Sequence, residues 1–145
     1  MSDLSSCYLL LSSYRSYSIE QIVFSQHFDN SVPVLLVTNT KVKHNLADSE
    51  YPLRVKQCAD VVQAIRSVYP TVDSLRDATL EQLEAVKDKL CDVRYRRARH
   101  VITENQRTLA AAVALRSYKY EELGKLMFES HRSLKEDYEV MIQPM

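Results

Sequence analysis

Gly124 is the only glycine in a chain of 145 residues. Average usage of about 7% would supply roughly ten. Glycine takes up left-handed turns without steric cost and lets a backbone approach a ligand closely. The known phosphate-cradling loops depend on that property. A chain whose one glycine falls inside a helical pattern has no such loop of its own. The rest of the composition is ordinary for a folded chain. At 46% hydrophobic residues it has enough for one compact domain with a real core. Nineteen basic residues balance nineteen acidic ones. A net charge of zero gives no electrostatic reason to expect binding to nucleic acid or to an anionic membrane.

No apolar run approaches the roughly 20 residues of a membrane span. The first residues, Met1 to Leu4, carry no basic segment, and the apolar run Tyr8 to Leu11 is too short for a secretory signal. Cys7, Cys58 and Cys91 are odd in number and scattered, which reads as reduced, intracellular thiols. A cytoplasmic location is the resulting expectation.

Along the chain, residues 1–6 are small and polar and are expected to be a disordered N-terminus. Residues 7–40 read as extended structure. Ser18 to Phe24 alternates in part, Asp29-Asn30-Ser31 has turn chemistry, and Val34 to Thr38 suits a strand buried on both faces. The period then becomes helical. Asp48-Ser49-Glu50-Tyr51-Pro52 is a helix start, followed by an apolar stripe of Val55, Cys58, Val62 and Ile65 that Tyr69-Pro70 ends. Thr79 to Gln82 is a capping box opening a helix toward Leu90. A long helix is predicted from about Val93 to Leu115, with Tyr95, Ala98, Ile102, Leu109 and Ala112 on one face. A last one is predicted from about Tyr118 to Val140.

Three features have ordinary explanations. The run Arg94-Tyr95-Arg96-Arg97-Ala98-Arg99-His100 spreads its charge over more than one helical face and reads as a solvated face or a set of internal ion pairs. His27, His44, His100 and His131 share no metal-site spacing, so no metal is expected. None of the cysteines has CxxC spacing, and Cys58 falls on an apolar stripe, where a thiol packs as a small hydrophobe. No catalytic constellation stands out from first principles.

Two stretches go further. Val34 to Arg54, with Thr38-Asn39-Thr40, Lys43-His44-Asn45-Leu46 and Ser49-Glu50-Tyr51-Pro52 inside it and Gln57-Cys58 after it, closely resembles galactokinases of the GHMP kinase superfamily. Arg96 to Val101, then Leu126-Met127, Glu129-Ser130-His131-Arg132-Ser133-Leu134 and Asp137-Tyr138-Glu139-Val140, resembles the helical region of the same family. The likeness runs over roughly residues 8–140 and is weak before residue 33.

The resemblance implies an α+β fold of two or three strands followed by about four helices. Residues 7–145 would form a partial domain, part of the second domain of such a kinase. It also implies a family chemistry, transfer of a phosphoryl group from ATP, with Mg, to the anomeric hydroxyl of galactose. Such a reaction rests on positioning and electrostatics. The family's Gly-Arg-Val-Asn-Leu-Ile-Gly-Glu-His motif, its Gly-Leu-Ser-Ser-Ser phosphate loop, its Met-Asp-Gln catalytic segment and its C-terminal glycines do not occur in this sequence. The expectation is therefore a galactokinase fragment that is inactive alone, with no catalytic residue and no cofactor of its own. One substrate contact carries over by resemblance: Tyr51, the tyrosine of Ser-Glu-Tyr-Pro, whose hydroxyl would reach galactose. Lys43 falls where the family commonly has arginine near the active site, and it keeps the charge without the planar fork. Lys119 stands where the family commonly caps the last helix with aspartate; Ser117 is a substitute cap. The alternative is a non-enzymatic helical module that takes a protein partner through an apolar face the missing parts would cover. A galactose sensor would need the same ligand pocket that the family's missing motifs build.

Overall fold

The computed structural model describes residues 7–13, 18–24 and 51–139. The expected disordered residues 1–6, the turn at Asp29–Ser31, the strand Val34–Thr38 and Lys43 lie outside these. Strands β1 (Cys7–Ser13) and β2 (Ser18–Phe24) pair antiparallel, with Cys7 opposite Phe24 and Ser13 opposite Ser18. Four helices follow: α1 (Tyr51–Arg66), α2 (Leu80–Glu84), α3 (Asp92–Arg116) and α4 (Tyr120–Glu136). A 3-10 turn at Lys87–Lys89 stands between α2 and α3.

The α+β class expected from the sequence is overturned for this packed body. Residues 51–139 hold no strand and are 74% helical, in four α-helices and one 3-10 turn. The physical reason is the apolar period. Each helix satisfies its own backbone bonds and closes the core against another helix, so no sheet is needed there. The main core gathers Val61 and Ile65 of α1, Val72, Leu75 and Ala78 of the following loop, Leu83 and Val86 around α2, and Ala98 and Ile102 of α3. A second, smaller cluster joins Ala112 and Leu115 of α3 to Tyr120 and Leu123 of α4.

The ends of the helices follow local chemistry. Pro52 sits in the first turn of α1, where its missing N–H has no intrahelical partner to lose. At the other end, Ser67 N–H bonds Gln63 and Tyr69 N–H bonds Ile65, at 3.1 and 2.8 Å. Arg66 then donates to the Val72 carbonyl at 3.0 Å and to the Asp73 carboxylate at 2.9 Å, which holds the loop over the core. The capping box forms as its residues predict. Gln82 N–H donates to Thr79 Oγ1 at 3.3 Å, and Thr79 N–H donates to Gln82 Oε1 at 3.0 Å. Helix α2 is shorter than the sequence indicates, ending at Glu84 instead of running toward Leu90. The chain tightens there so that Leu83 and Val86 are both fully buried.

Glycine scarcity leaves a mark on the turn between α3 and α4. Tyr118 takes φ 55°, a left-handed conformation that glycine usually supplies after a helix. The turn is closed by Lys119 N–H to the Ala114 carbonyl at 2.9 Å and Tyr118 N–H to the Leu115 carbonyl at 3.1 Å. Gly124 itself lies within α4, and a Cβ added there meets nothing within 4 Å. Lys119 precedes α4 without a side-chain cap, and Ser117 ends α3 rather than capping α4. Among the described residues, no helix is long and apolar enough to cross a membrane.

Candidate functional site

Tyr51 is the first residue of α1 and 66% exposed. A phenol there is free to present its hydroxyl as donor and acceptor to a sugar. One turn further on, Arg54 reaches across the fold to the end of α4. Its Nε donates to the Tyr138 carbonyl at 3.2 Å and its Nη2 to the Glu139 carbonyl at 2.9 Å. Arg97 of α3 comes to the same place from the other side, donating to the Tyr138 carbonyl at 2.9 Å and to Glu139 Oε2 at 3.1 Å. Both guanidinium groups lie over the Tyr138 ring, at 5.7 and 5.8 Å from its centroid. Burial pushes the Tyr138 phenol above its ordinary value, with Cys58 and Tyr51 adding to the rise and Arg54 and Arg97 opposing it. Tyr51, Arg54, Cys58, Arg97 and Tyr138 therefore form one neighbourhood. Burial also pushes the Cys58 thiol up, which keeps it protonated and poorly nucleophilic.

The basic run of α3 is spent on internal pairing. Arg96 donates to the Glu136 carbonyl at 2.7 Å and to Glu139 at 2.9 Å, Arg97 pairs as above, and Arg99 bonds the Asp137 carboxylate. The Glu-Ser-His-Arg-Ser-Leu stretch answers it from α4. Ser130 donates to Glu104 at 2.6 Å, and Ser133 stands 2.9 Å from His100 Nδ1 and donates to Asp137 Oδ2 at 3.0 Å. The two motifs that carry the family likeness in the helices are thus the two sides of one helix–helix contact.

His100, Ser133 and Asp137 are all buried, and the trio has the composition of a hydrolase triad without its logic. Serine sits in the middle. Its single proton goes to Asp137, so its oxygen accepts from His100 Nδ1–H. His100 donates to the serine and so is not its base, and no carboxylate among the described residues holds the histidine in that role, so the group is structural. His100 is also stacked on Tyr138, with ring centroids 4.6 Å apart.

Burial lowers the His100 pKa from the ordinary 6.5, with Glu104 and Asp137 pulling it up and Arg107 pushing it down. The unfolded chain therefore takes up the proton first. This contribution to stability is complete above about pH 6.5 and is lost as the pH falls toward the folded pKa. Denaturant midpoints taken at about pH 7.5 and about pH 5.5 are expected to fall for the wild type. They should fall less for His100→Asn, whose amide keeps a donor toward Ser133 and does not titrate. Equal losses would contradict the assignment.

The one glycine is mid-helix, and no group of three His, Cys, Asp or Glu is placed to hold a metal among the described residues. The open hollows are shallow. One of about 510 Å³ runs along α1 past Cys58, Val62 and Arg66 to Val101 and Asn105, and one of about 360 Å³ lies between α3 and α4 at Ala111 and Leu126. Of the two sequence-predicted site residues, Tyr51 is exposed at a helix start, and Lys43 is outside the described residues. Sequence reasoning did not find the roles of Arg54, Arg97 and Tyr138. Their signal is an arginine in the first turn of one helix and another on the core face of a second, which names no partner.

No protein-family model matches the chain. The chain is 50% identical to human galactokinase over 106 residues, which is 73% of this chain and 26% of that protein. The figures for the Bos taurus galactokinase are the same, and the Clostridium acetobutylicum galactokinase is 43% identical over 107 residues, 27% of its length. Among solved structures, Lactococcus lactis galactokinase complexed with galactose superposes with a TM-score of 0.73 at 26% identity, covering 94% of this chain and 34% of that one. The stretch that the chain shares with these proteins belongs to the galactokinase family, and the chain spans about a quarter of the length of the curated relatives it matches.

Proposed function

We propose that this chain carries part of the galactose-facing side of a galactokinase, with Tyr51 as its sugar contact, and that it does not turn over substrate alone. The observation that carries the reading is Tyr51 itself: an exposed phenol at a helix start, inside a stretch 50% identical to a named galactokinase. In the whole protein, the activity would be transfer of the γ-phosphoryl group of ATP to galactose, with Mg assisting. The chain's own residues would orient the sugar: Tyr51 bonds a hydroxyl, and α1 holds that phenol at a fixed point. The phosphates and the acceptor's activation would fall to other parts of the protein, since the single glycine of this chain lies inside α4.

The second reading, a helical module that captures a protein partner, draws on Leu109, Val113, Met127 and Phe128, which are large, apolar and exposed on α3 and α4. The first reading accounts for the same residues, because the rest of a galactokinase would supply surface to cover them. A direct test is to incubate the purified chain with ATP, magnesium and galactose and follow galactose 1-phosphate. No product above the protein-free control is expected, and steady turnover would overturn the claim that the chain is inert alone.

A further inference from the structure

Helix α1 has a mechanical weakness at the end that matters. Its buried residues are Val61 and Ile65, so no side chain before its eleventh residue is buried. Tyr51, Leu53 and Val55 are all exposed. The first N–H groups of a helix also have no intrahelical acceptor. A turn of this kind frays unless something outside the helix fixes it, and a frayed turn cannot hold a phenol at a defined point.

We propose that Arg54 is the positioning residue for Tyr51, fastening the first turn of α1 to the end of α4. The proposal rests on the reading of Tyr51 as the sugar contact. Arg54 stands three residues after Tyr51, on the same face of the helix. Two of its bonds go to successive carbonyls, those of Tyr138 and Glu139, at 3.2 and 2.9 Å. Two bonds in fixed directions use the planar fork of a guanidinium, which a lysine cannot reproduce.

The acceptor side is itself held rigid. Arg97, with its side chain 5% exposed, bonds the same Tyr138 carbonyl and the Glu139 carboxylate, at 2.9 and 3.1 Å. The Tyr138 ring is stacked on His100. Glu139 adopts φ 54°, which turns the chain just where the carbonyls receive the guanidinium. The path from the core of α3 to the exposed phenol thus runs Arg97, then the Tyr138 and Glu139 carbonyls, then Arg54, then Tyr51. Every link in it is a hydrogen bond or a helical turn, and none depends on sugar being present.

The test uses the full chain. Amide hydrogen exchange is read at Val55 to Cys58, whose bonds close the first turns of α1, and at Ile102 in the core. The ring resonances of labelled Tyr51 are followed in the same samples. Arg54→Met and Arg54→Lys are both expected to speed exchange at Val55 to Cys58 by about tenfold and to shift the Tyr51 ring signals, leaving Ile102 within about twofold of wild type. Failure of the lysine variant to rescue marks the fork, not the charge, as what matters. Unchanged exchange in the first turns, full rescue by lysine, or equal acceleration at Ile102 would each overturn the proposal. The readout contains no galactose, so it fails or holds independently of the sugar contact, which a Tyr51 substitution tests separately.

Discussion

Replacing Ile102 by alanine is expected to cost the fold about 2–5 kcal/mol, while the same change at Leu109 costs less than about 0.5 kcal/mol. Both residues belong to α3, seven positions apart, which places them almost in line on the helix surface. The apolar pattern of the sequence assigns them to one buried face. The structure separates them: Ile102 is 2% exposed and Leu109 is 64% exposed. Ile102 packs in the main core with Ile65 and Leu83, and truncating it leaves a cavity that the surrounding helices can only partly fill. Leu109 lies beyond the reach of α1 and α2, and truncating it removes little from contact. For a domain with about 5–15 kcal/mol of total stability, the first change approaches the whole margin. Urea midpoints of the two variants decide the matter. Similar losses for both would mean that Leu109 is covered in solution, as it would be by a partner or a second copy.

The comparison also explains what the sequence could and could not convey. Four helices and most of their starts were legible, because caps and periods are local. Thr79 and Gln82 are three residues apart and form their box as written. The burial pattern of α3 was less legible because its neighbours differ along its length. α4 meets it at His100 and Glu104 and again at Ala112 and Leu115, while the core shared with α1 and α2 takes only Ala98 and Ile102 of its first half. A single stripe drawn through both halves puts Leu109 inside. The stripe on α1 fails at its exposed end for a related reason: Val55 lies before the first buried residue, where no neighbouring helix covers it. On α4, Met127 is also apolar and exposed, and an exposed apolar side chain and a buried one look alike in sequence.

The polar contact between α3 and α4 was half legible. An arginine-rich helix in a chain of zero net charge implies acidic partners, and internal pairing was the expected outcome. Which acids pair was not readable, because Arg96, Arg97 and Arg99 find Glu136 to Glu139 some forty residues away. The serine between His100 and Asp137 had no signal beyond the i, i+4 spacing of Ser133 and Asp137, a pattern too common to single out. As for the α+β expectation, the strands were read from residues 7–40 and from a partial kinase domain, while residues 51–139 hold no strand and pack four helices and a loop around their core.

The second large effect concerns Tyr51. Its hydroxyl is the one substrate contact the account assigns to this chain, and phenylalanine removes that oxygen while keeping the ring. One hydrogen bond to a sugar hydroxyl is worth about 0.5–1.5 kcal/mol, so galactose affinity is expected to drop roughly tenfold at the upper end. The effect should appear in the KM for galactose and leave the KM for ATP unchanged, since the proposed role is to hold the sugar and not the phosphates. The exposure of Tyr51 predicts that the substitution leaves folding intact. A loss of stability on that change would count against a purely sugar-facing role.

The most direct test of the central claim is a graft. This chain replaces the matching third of the Lactococcus lactis galactokinase, and galactose phosphorylation is measured with Tyr51 and with Tyr51→Phe. The graft is expected to be active, with a galactose KM that rises by up to roughly tenfold on the substitution and an unmoved KM for ATP. A galactose KM that does not change, or a graft that folds but phosphorylates no galactose, would contradict it.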